Sequence, residues 1–429
     1  MKGENGKMKT ESTCHSELKQ AQQRMCLVSE SRTPQIRFKE FSEEWEEKKF
    51  EDLVFRVNEL SEQEGLPRVE YEDIVSEGIL RNDFDQKISD KKGILFRKND
   101  VLFGKLRAYL RNNLLADFDG IAVGDFWVLR SAVLDSNFLF HYIQTDGFQV
   151  LANVSSGSKM PRSDWNLISN SSFLIPHCLT EQTKIGALFS HIDSLIASTQ
   201  KEGEKLVALK KCMLQKMFPH PRHSELDSEP LAPEIRFKGF TGDWEEKKLG
   251  EVAERITRKN TELESDIPLT ISAQYGLIDQ RTFFNKRIAS KDISGYYVIY
   301  NGEFAYNKSY SDGYPFGAVK RLNYYDKGVL STLYIVFSLD DSIDSTFLSY
   351  FYETSLWYKD VSEVAAEGAR NHGLLNITAD DFFKTKFVVP SLPEQQKIGS
   401  YFQNLDNLIS KQAAQLEKLK NVKKTLLGK

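Results

Sequence analysis

The chain repeats itself, and that limits its architecture more than any other feature. Residues 34–50 read PQIRFKEFSEEWEEKKF and residues 233–249 read PEIRFKGFTGDWEEKKL, identical at 11 of 17 positions at an offset of 199. A second pair begins at Glu181 (EQTKIGALFSHIDSLIASTQKEGEKLVALKKCMLQK) and Glu394 (EQQKIGSYFQNLDNLISKQAAQLEKLKNVKKTLLGK), at an offset of 213. Self-similarity on this scale means one unit built twice. Between the anchors, the segment Asn99 to Lys105 follows Gly302 to Lys308 at an offset of 203, and Phe126-Trp127-Val128 follows Tyr334-Ile335-Val336 at 208. Each change of offset is a length change in a loop. A constant framework with loops free to differ is what two related readers of different ligands need.

Within each copy, β-branched and aromatic runs such as GILFRKNDVLFGKL, IAVGDFWVLR, YYVIYNGEFAYNK and TLYIVFSL are punctuated by Gly, Asn and Asp and read as strands. In SNFLFHYIQTDGFQVLANV and DSTFLSYFYETSLWYKDVSEV apolar residues recur every three or four positions, which predicts short helices. The expected fold class is α+β: two tandem mixed α/β domains, each followed by a long helix. The divisions are 1–33, an extension outside the repeat; 34–179, the first domain; 180–218, its helix; 219–232, a linker rich in Pro, Ser and charge; 233–391, the second domain; and 392–429, its helix.

The first helix carries Ile185, Leu188, Ile192, Leu195, Leu206, Leu209 and Met213 at heptad spacing; the second answers with Ile398, Tyr401, Leu405, Leu408, Leu419, Val422 and Leu426. That is a coiled-coil seam in each. Thr199 and Glu202 interrupt the first, and Gln412 and Gln415 the second, at equivalent places. The simplest geometry pairs the two helices of this chain antiparallel, with the polar layers near the middle; a helix docked on its own domain and a homodimeric coil are the alternatives.

Composition narrows the function. A net charge of -4 argues against coating nucleic acid through bulk positive charge, so any such contact must be local. No apolar run reaches the roughly 18 residues of a membrane span and the N-terminus has no signal-peptide stretch, so a cytoplasmic location without membrane contact is expected. Cys14, Cys26, Cys178 and Cys212 lie far apart, with no CxxC pair, and suggest neither a disulfide framework nor a metal site. There is no GxxxxGK[ST] loop, no GxGxxG, HExxH or GxSxG motif, and no Asn-Pro-Pro-aromatic or Asp-Pro-Pro-aromatic tetrapeptide of amino-methyltransferases. No catalytic residue is assigned.

Local basic patches do occur. In the first copy Lys105, Arg107, Tyr109 and Arg111 interleave cations with an aromatic, and the loop SSGSKMPRSDW offers Ser158, Lys159 and Arg162. The second copy has Asn307, Lys308 and Tyr310, then Arg370, Asn371 and His372 in EGARNHG. Lysine and arginine suit phosphates, arginine also suits guanine, and asparagine suits adenine. A solvated charged edge explains any one of these groups alone; both copies, however, place such a loop shortly before the long helix.

These features together resemble the specificity subunit of type I restriction-modification systems. The resemblance rests on the repeated P-x-I-R-F-K-x-F-x-x-x-W-E-x-K-K opening, the GKLRAY strand, the E-Q-x-K-I-G entry into the helix after a proline, and the tandem order, from Pro34 to Lys429. It implies a non-catalytic chain whose two target recognition domains each read one half of an asymmetric, bipartite site on double-stranded DNA. It also implies that the paired helices, through Ile185, Leu188, Ile192, Leu195, Leu206, Leu209, Ile398, Leu405, Leu408, Leu419 and Val422, set the spacing and dock two methyltransferase (modification) subunits. Those subunits use S-adenosylmethionine to methylate adenine, and endonuclease/translocase (restriction) subunits use ATP and Mg; this chain itself would hold no cofactor. The second copy departs from GKLR, having Asn307-Lys308-Ser309. The alternative is a coiled-coil scaffold that assembles partners without reading DNA sequence.

Overall fold

A computed structural model describes residues 33–76, 78–81, 84, 90–154, 160–219, 231–272, 275–284, 289–290, 292–309, 313–365 and 375–428. They form two compact units: residues up to Gln200 together with Ala414–Lys429, and Lys201–Ala413.

In unit 1 the elements that matter are β1 (Glu46–Lys49), β2 (Phe55–Val57), β3 (Val101–Gly104), β4 (Asn113–Leu115), β5 (Phe126–Arg130), α1 (Ser136–Tyr142), β6 (Ser172–Ile175) and the start of α2 (Leu179–Met217). Their counterparts in unit 2 are β7 (Glu245–Lys248), β8 (Ala253–Ile256), β9 (Phe304–Asn307), β10 (Ala318–Arg321), β11 (Ile335–Leu339), α3 (Ser345–Phe351), β12 (Lys386–Val389) and the start of α4 (Leu392–Leu427). The sheets have the same order, β2-β5-β3-β4 and β8-β11-β9-β10, and all their neighbours run antiparallel. Register confirms the duplication: Leu129 lies opposite Val101, and Phe337 opposite Phe304, reproducing the offsets of 208 and 203.

The central strands read as unbroken apolar runs because both their faces are covered. Val101 and Phe103 face a core with Phe50, Trp127 and Phe148, while Leu102 turns to a second core with Phe126 and Val128. Unit 2 repeats the alternation, with Phe304 and Tyr306 in one core and Ala305 in the other.

The repeated sequences form one device in each unit. Arg37 of the opening forks onto Glu181 at the start of α2, at 2.6 and 2.7 Å, and Trp45 Nε1 donates to the same carboxylate at 3.3 Å. Arg236 forks onto Glu394 at 2.7 and 2.7 Å. The neighbouring glutamines, Gln182 and Gln395, each donate to a proline carbonyl (Pro176, Pro390) and accept the backbone N–H of Asp135 or Asp344. Those aspartates cap α1 and α3, accepting from Phe138 and Phe347. The glycine of Lys-Ile-Gly lets the helices come this close: a Cβ on Gly186 would lie 2.7 Å from Phe138 N, and one on Gly399 3.1 Å from Phe347 N.

Within unit 1, α2 packs against the end of α4; within unit 2, α4 packs against the end of α2. Contacts run in opposite sequence directions, as antiparallel pairing requires: Lys423 bonds Asp193 at 2.7 Å in unit 1, while in unit 2 Glu202 accepts from Gln412 at 2.8 Å and Lys210 bonds Asp406 at 2.7 Å. At 1.5 Å per residue α2 extends ~58 Å and α4 ~54 Å.

The seam differs from the expected one in one of its two rows. Ile192, Thr199 and Leu206 in α2 and Ile398, Leu405, Gln412 and Leu419 in α4 are buried or half-buried, and Ile185 is half-buried beside them. The other inward row is Phe189, Ile196, Gly203 and Lys210, matched by Phe402, Ile409, Leu416 and Lys423. Leu188, Leu195, Leu209, Leu408 and Val422, expected to face inward, are one position off and 38–50% exposed, and Glu202 and Gln415 are exposed too. The inward row is apolar at Phe189, Ile196, Phe402, Ile409 and Leu416, and ion pairs hold its two lysines in place: Lys210 meets Glu353 and Asp406, at 2.8 and 2.7 Å, and Lys423 meets Asp193 at 2.7 Å.

Candidate nucleic-acid interface

In unit 1 the candidate residues gather where β3 leaves the sheet. A Cβ on Gly104 would lie 2.6 Å from Asn112 O, so only glycine lets the strand turn there. Residues 105–107 then take 161–163 alongside as an irregular edge: Arg107 N donates to Pro161 O at 2.8 Å, Ser163 N to Lys105 O at 2.9 Å, and Leu106 bridges Arg162. Ala108–Leu110 form a single 3-10 turn between two left-handed arginines, Arg107 (φ 51°) and Arg111 (φ 55°). Non-glycine residues enter that region at a cost of about 1–2 kcal/mol each. On this turn Arg107 is exposed, Tyr109 is 58% exposed and Leu110 53%.

Asp125, at the start of β5, organises the base of the turn. Arg162 forks onto it at 3.1 and 2.9 Å and Lys105 approaches to 3.6 Å. The Arg162 hydrogen bonds hold the Asp125 carboxyl below the usual carboxylate range against the opposing effect of partial burial. Tyr71 stacks on Phe126 at 4.6 Å, donates to Asp125 O at 2.5 Å and accepts Leu106 N at 3.0 Å; burial pushes its phenol up, so it stays a neutral buttress. Arg162 and Lys105 are therefore partly neutralised, and Arg107 with Tyr109 is the more available pair. Asp125 and Tyr71 escaped the sequence reading because the partners lie 37 and 35 residues from Arg162 and Leu106. Ser158 and Lys159 lie outside the described residues.

Unit 2 keeps the frame and changes the contents. Lys308 O accepts Leu375 N at 3.0 Å, the counterpart of the Lys105–Ser163 bond, so Lys308 holds the position of Lys105 despite the lost GKLR pattern. Its ammonium donates to Ile377 O at 3.2 Å, where unit 1 uses a carboxylate. Asn307 turns its amide oxygen onto Ser309 N at 3.0 Å. Gly317 (φ 79°) closes the return, since a Cβ there would lie 2.1 Å from Asn307 O. Lys320 and Arg321 are turned inward: burial lowers both, and Arg321 donates to Ser345 and Asn323. Tyr275 and Tyr324, which carry no motif, are 62% and 71% exposed. Tyr310, Arg370, Asn371 and His372 lie outside the described residues.

Among the described residues no three His, Cys, Asp or Glu side chains are placed to hold a metal, and no helix is long and apolar enough to cross a membrane. A family model described as "Type I restriction modification DNA specificity domain" matches residues 241–421. No curated protein matches the chain. Among solved structures, the chain is similar to the type I restriction-modification system S subunit from M. genitalium, at 15% identity and a TM-score of 0.54, over 92% of this chain and 98% of that one. It is also similar to the HsdS subunit from Thermoanaerobacter tengcongensis, at 18% identity and a TM-score of 0.43, over 89% of this chain and 95% of that one. The M. genitalium likeness shows a shared fold across the length of both chains.

Proposed function

We propose that the chain is a specificity subunit of a type I restriction-modification system, a reading supported by the family model over residues 241–421 and by the shared fold, and that each unit reads one half of a bipartite, asymmetric DNA site. The observation that carries this reading is one scaffold with different residues at the equivalent strand ends. The Arg–Glu fork, the glutamine tether and the sheet order recur in both units. What leaves the strand end does not: a tight turn with Arg107 and Tyr109 in unit 1, against a glycine-closed loop beyond Asn307 and Lys308 in unit 2. Arginine presented this way suits phosphate or guanine, and asparagine suits adenine.

The antiparallel helices act as the spacer between half-sites, and their outward rows are the docking surface for methyltransferase subunits, one per unit. Leu188, Leu195 and Val422 serve unit 1; Leu209 and Leu408 serve unit 2. Leu188 and Leu195 lie seven residues apart, about 10.5 Å along the helix. Leu209 lies fourteen residues beyond Leu195, and Val422 fourteen beyond Leu408, with exposed Glu202 and Gln415 between. The partners supply the chemistry, adenine methylation from S-adenosylmethionine and ATP- and Mg-dependent cleavage, while this chain supplies the address.

The test is to co-express the chain with its modification subunit and map methylated adenines. A split motif is expected, and replacing residues 105–112 should alter one half only. A change in both halves together, or methylation without a motif, overturns the reading; the latter would favour a scaffold that assembles partners without reading sequence.

A further inference from the structure

The turn that follows β3 does the opposite of what folding favours. Ala108, the smallest residue of the Ala108–Leu110 turn, is 4% exposed and sits in the core that holds Phe148 and Leu151, while Tyr109 and Leu110 face outward. No described residue stacks on the Tyr109 ring or bonds its hydroxyl. Beside the turn, Met160 is 51% exposed, one residue before the Pro161 carbonyl that accepts Arg107 N. The tip is held stiffly: Leu110 N donates to Arg107 O at 2.8 Å, Arg111 N to Ala108 O at 2.9 Å and Asn113 N to Arg111 O at 2.8 Å. The buried Asn113 side chain accepts Gly104 N at 3.2 Å, tying the strand that enters the turn to the one that leaves it. Glycine takes a left-handed backbone without strain. Arginine at 107 and 111 instead adds a cation on either side of the apolar tip, and Arg107 is exposed.

A rigid apolar tip flanked by cations has a match on duplex DNA. Phosphates draw the arginine, and the apolar surface that DNA offers lies on the base faces and the thymine methyls. Leu110 has no donor or acceptor for a base edge, and a tyrosine ring stacks on any base. We propose that Tyr109 and Leu110 form a wedge that enters the base stack in the half-site read by unit 1, with Arg107 on the adjoining phosphate. The proposal rests on the DNA-reading function above and adds that unit 1 recognises its half-site partly by how readily one base step opens.

The test uses the full chain in complex with its modification subunit, on DNA carrying the mapped site. In the unit 1 half, 2-aminopurine replaces each adenine and pyrrolocytosine each cytosine in turn, on both strands, the methylated adenine excepted. Fluorescence should rise severalfold at one step on binding, and the rise should persist in Y109F. Y109A/L110A should lose it and bind roughly tenfold more weakly. Equal brightening in the parent and Y109A/L110A, or none at any position although a split motif is mapped, overturns the wedge and leaves the DNA-reading function standing; the absence of any motif removes both. Weaker binding without brightening, reproduced by uracil in place of thymine, assigns the tip to a thymine methyl, and loss of co-purification with the modification subunit in Y109A/L110A assigns it to a protein contact. Either of these results also overturns the wedge.

Discussion

The Arg37–Glu181 fork offers the sharpest test of how the repeat holds the fold. The side chain of Glu181 is 1% exposed and that of Arg37 10%, and their two bonds are 2.6 and 2.7 Å long. Arg37→Met leaves a buried carboxylate on which, among the described residues, Trp45 Nε1 at 3.3 Å is the remaining side-chain donor. Stranding one member of such a pair costs about 3–5 kcal/mol, whereas replacing both members by apolar groups is often neutral. For a unit of this size that is a fall of roughly 6–20 °C in the midpoint of its thermal transition. Calorimetry on R37M, E181M and R37M/E181M should show two strongly destabilised single variants and a double variant near the parent. R236M, E394M and their double should repeat the pattern in unit 2. If the single variants lose less than about 1 kcal/mol, the fork behaves as an exposed surface pair; if the double loses the sum of the singles, the two groups are not coupled. Either result refutes the reasoning.

Three further outcomes follow from the same geometry. Burial raises the Asp193 carboxyl, but hydrogen bonding to His141 and the charge of Lys423 outweigh it and hold the group below its ordinary range, so its stabilising effect is complete above about pH 4 and fades as pH falls through the depressed folded value; the gap between parent and D193N thermal midpoints should close on acidification, and a gap independent of pH would contradict the assignment. Leu195→Glu, on the exposed row, should shift stability by no more than about 0.5 kcal/mol yet abolish co-purification with the modification subunit, whereas Ile192→Ala, at 7% exposure, should cost about 2–5 kcal/mol; equal costs in urea denaturation would return Leu195 to the seam. Gly186→Ala should lose about 1–3 kcal/mol by driving α2 away from α1, and an unchanged urea midpoint would show that the close approach is not needed.

The framework was legible because its residues repeat, and they repeat because they touch: Arg37, Trp45, Glu181, Gln182 and Gly186 all meet within one small volume. The strands were legible because a run such as VLFG, covered on both faces, has little choice of conformation. The inward row of the helices was hidden, since Gly203 and Lys210 look like surface residues until Asp406 and Glu353, far away in sequence, are brought against the lysine. The interface was hidden for the same reason. Arg162 looks free in a one-dimensional reading, and only folding sets Asp125 beneath it.

The division of the helices between units also bears on how the protein is made. Unit 2 is a single continuous stretch, Lys201–Ala413, and can close as soon as that stretch has left the ribosome. Unit 1 begins first but needs Ala414–Lys429, so Phe189 and Ile192 wait for Leu427, more than two hundred residues downstream. The usual N-terminal-first order of synthesis-coupled folding is thereby inverted. The first-made half completes last, and until then the helix face that carries Phe189 and Ile192 lacks its cover from Leu427.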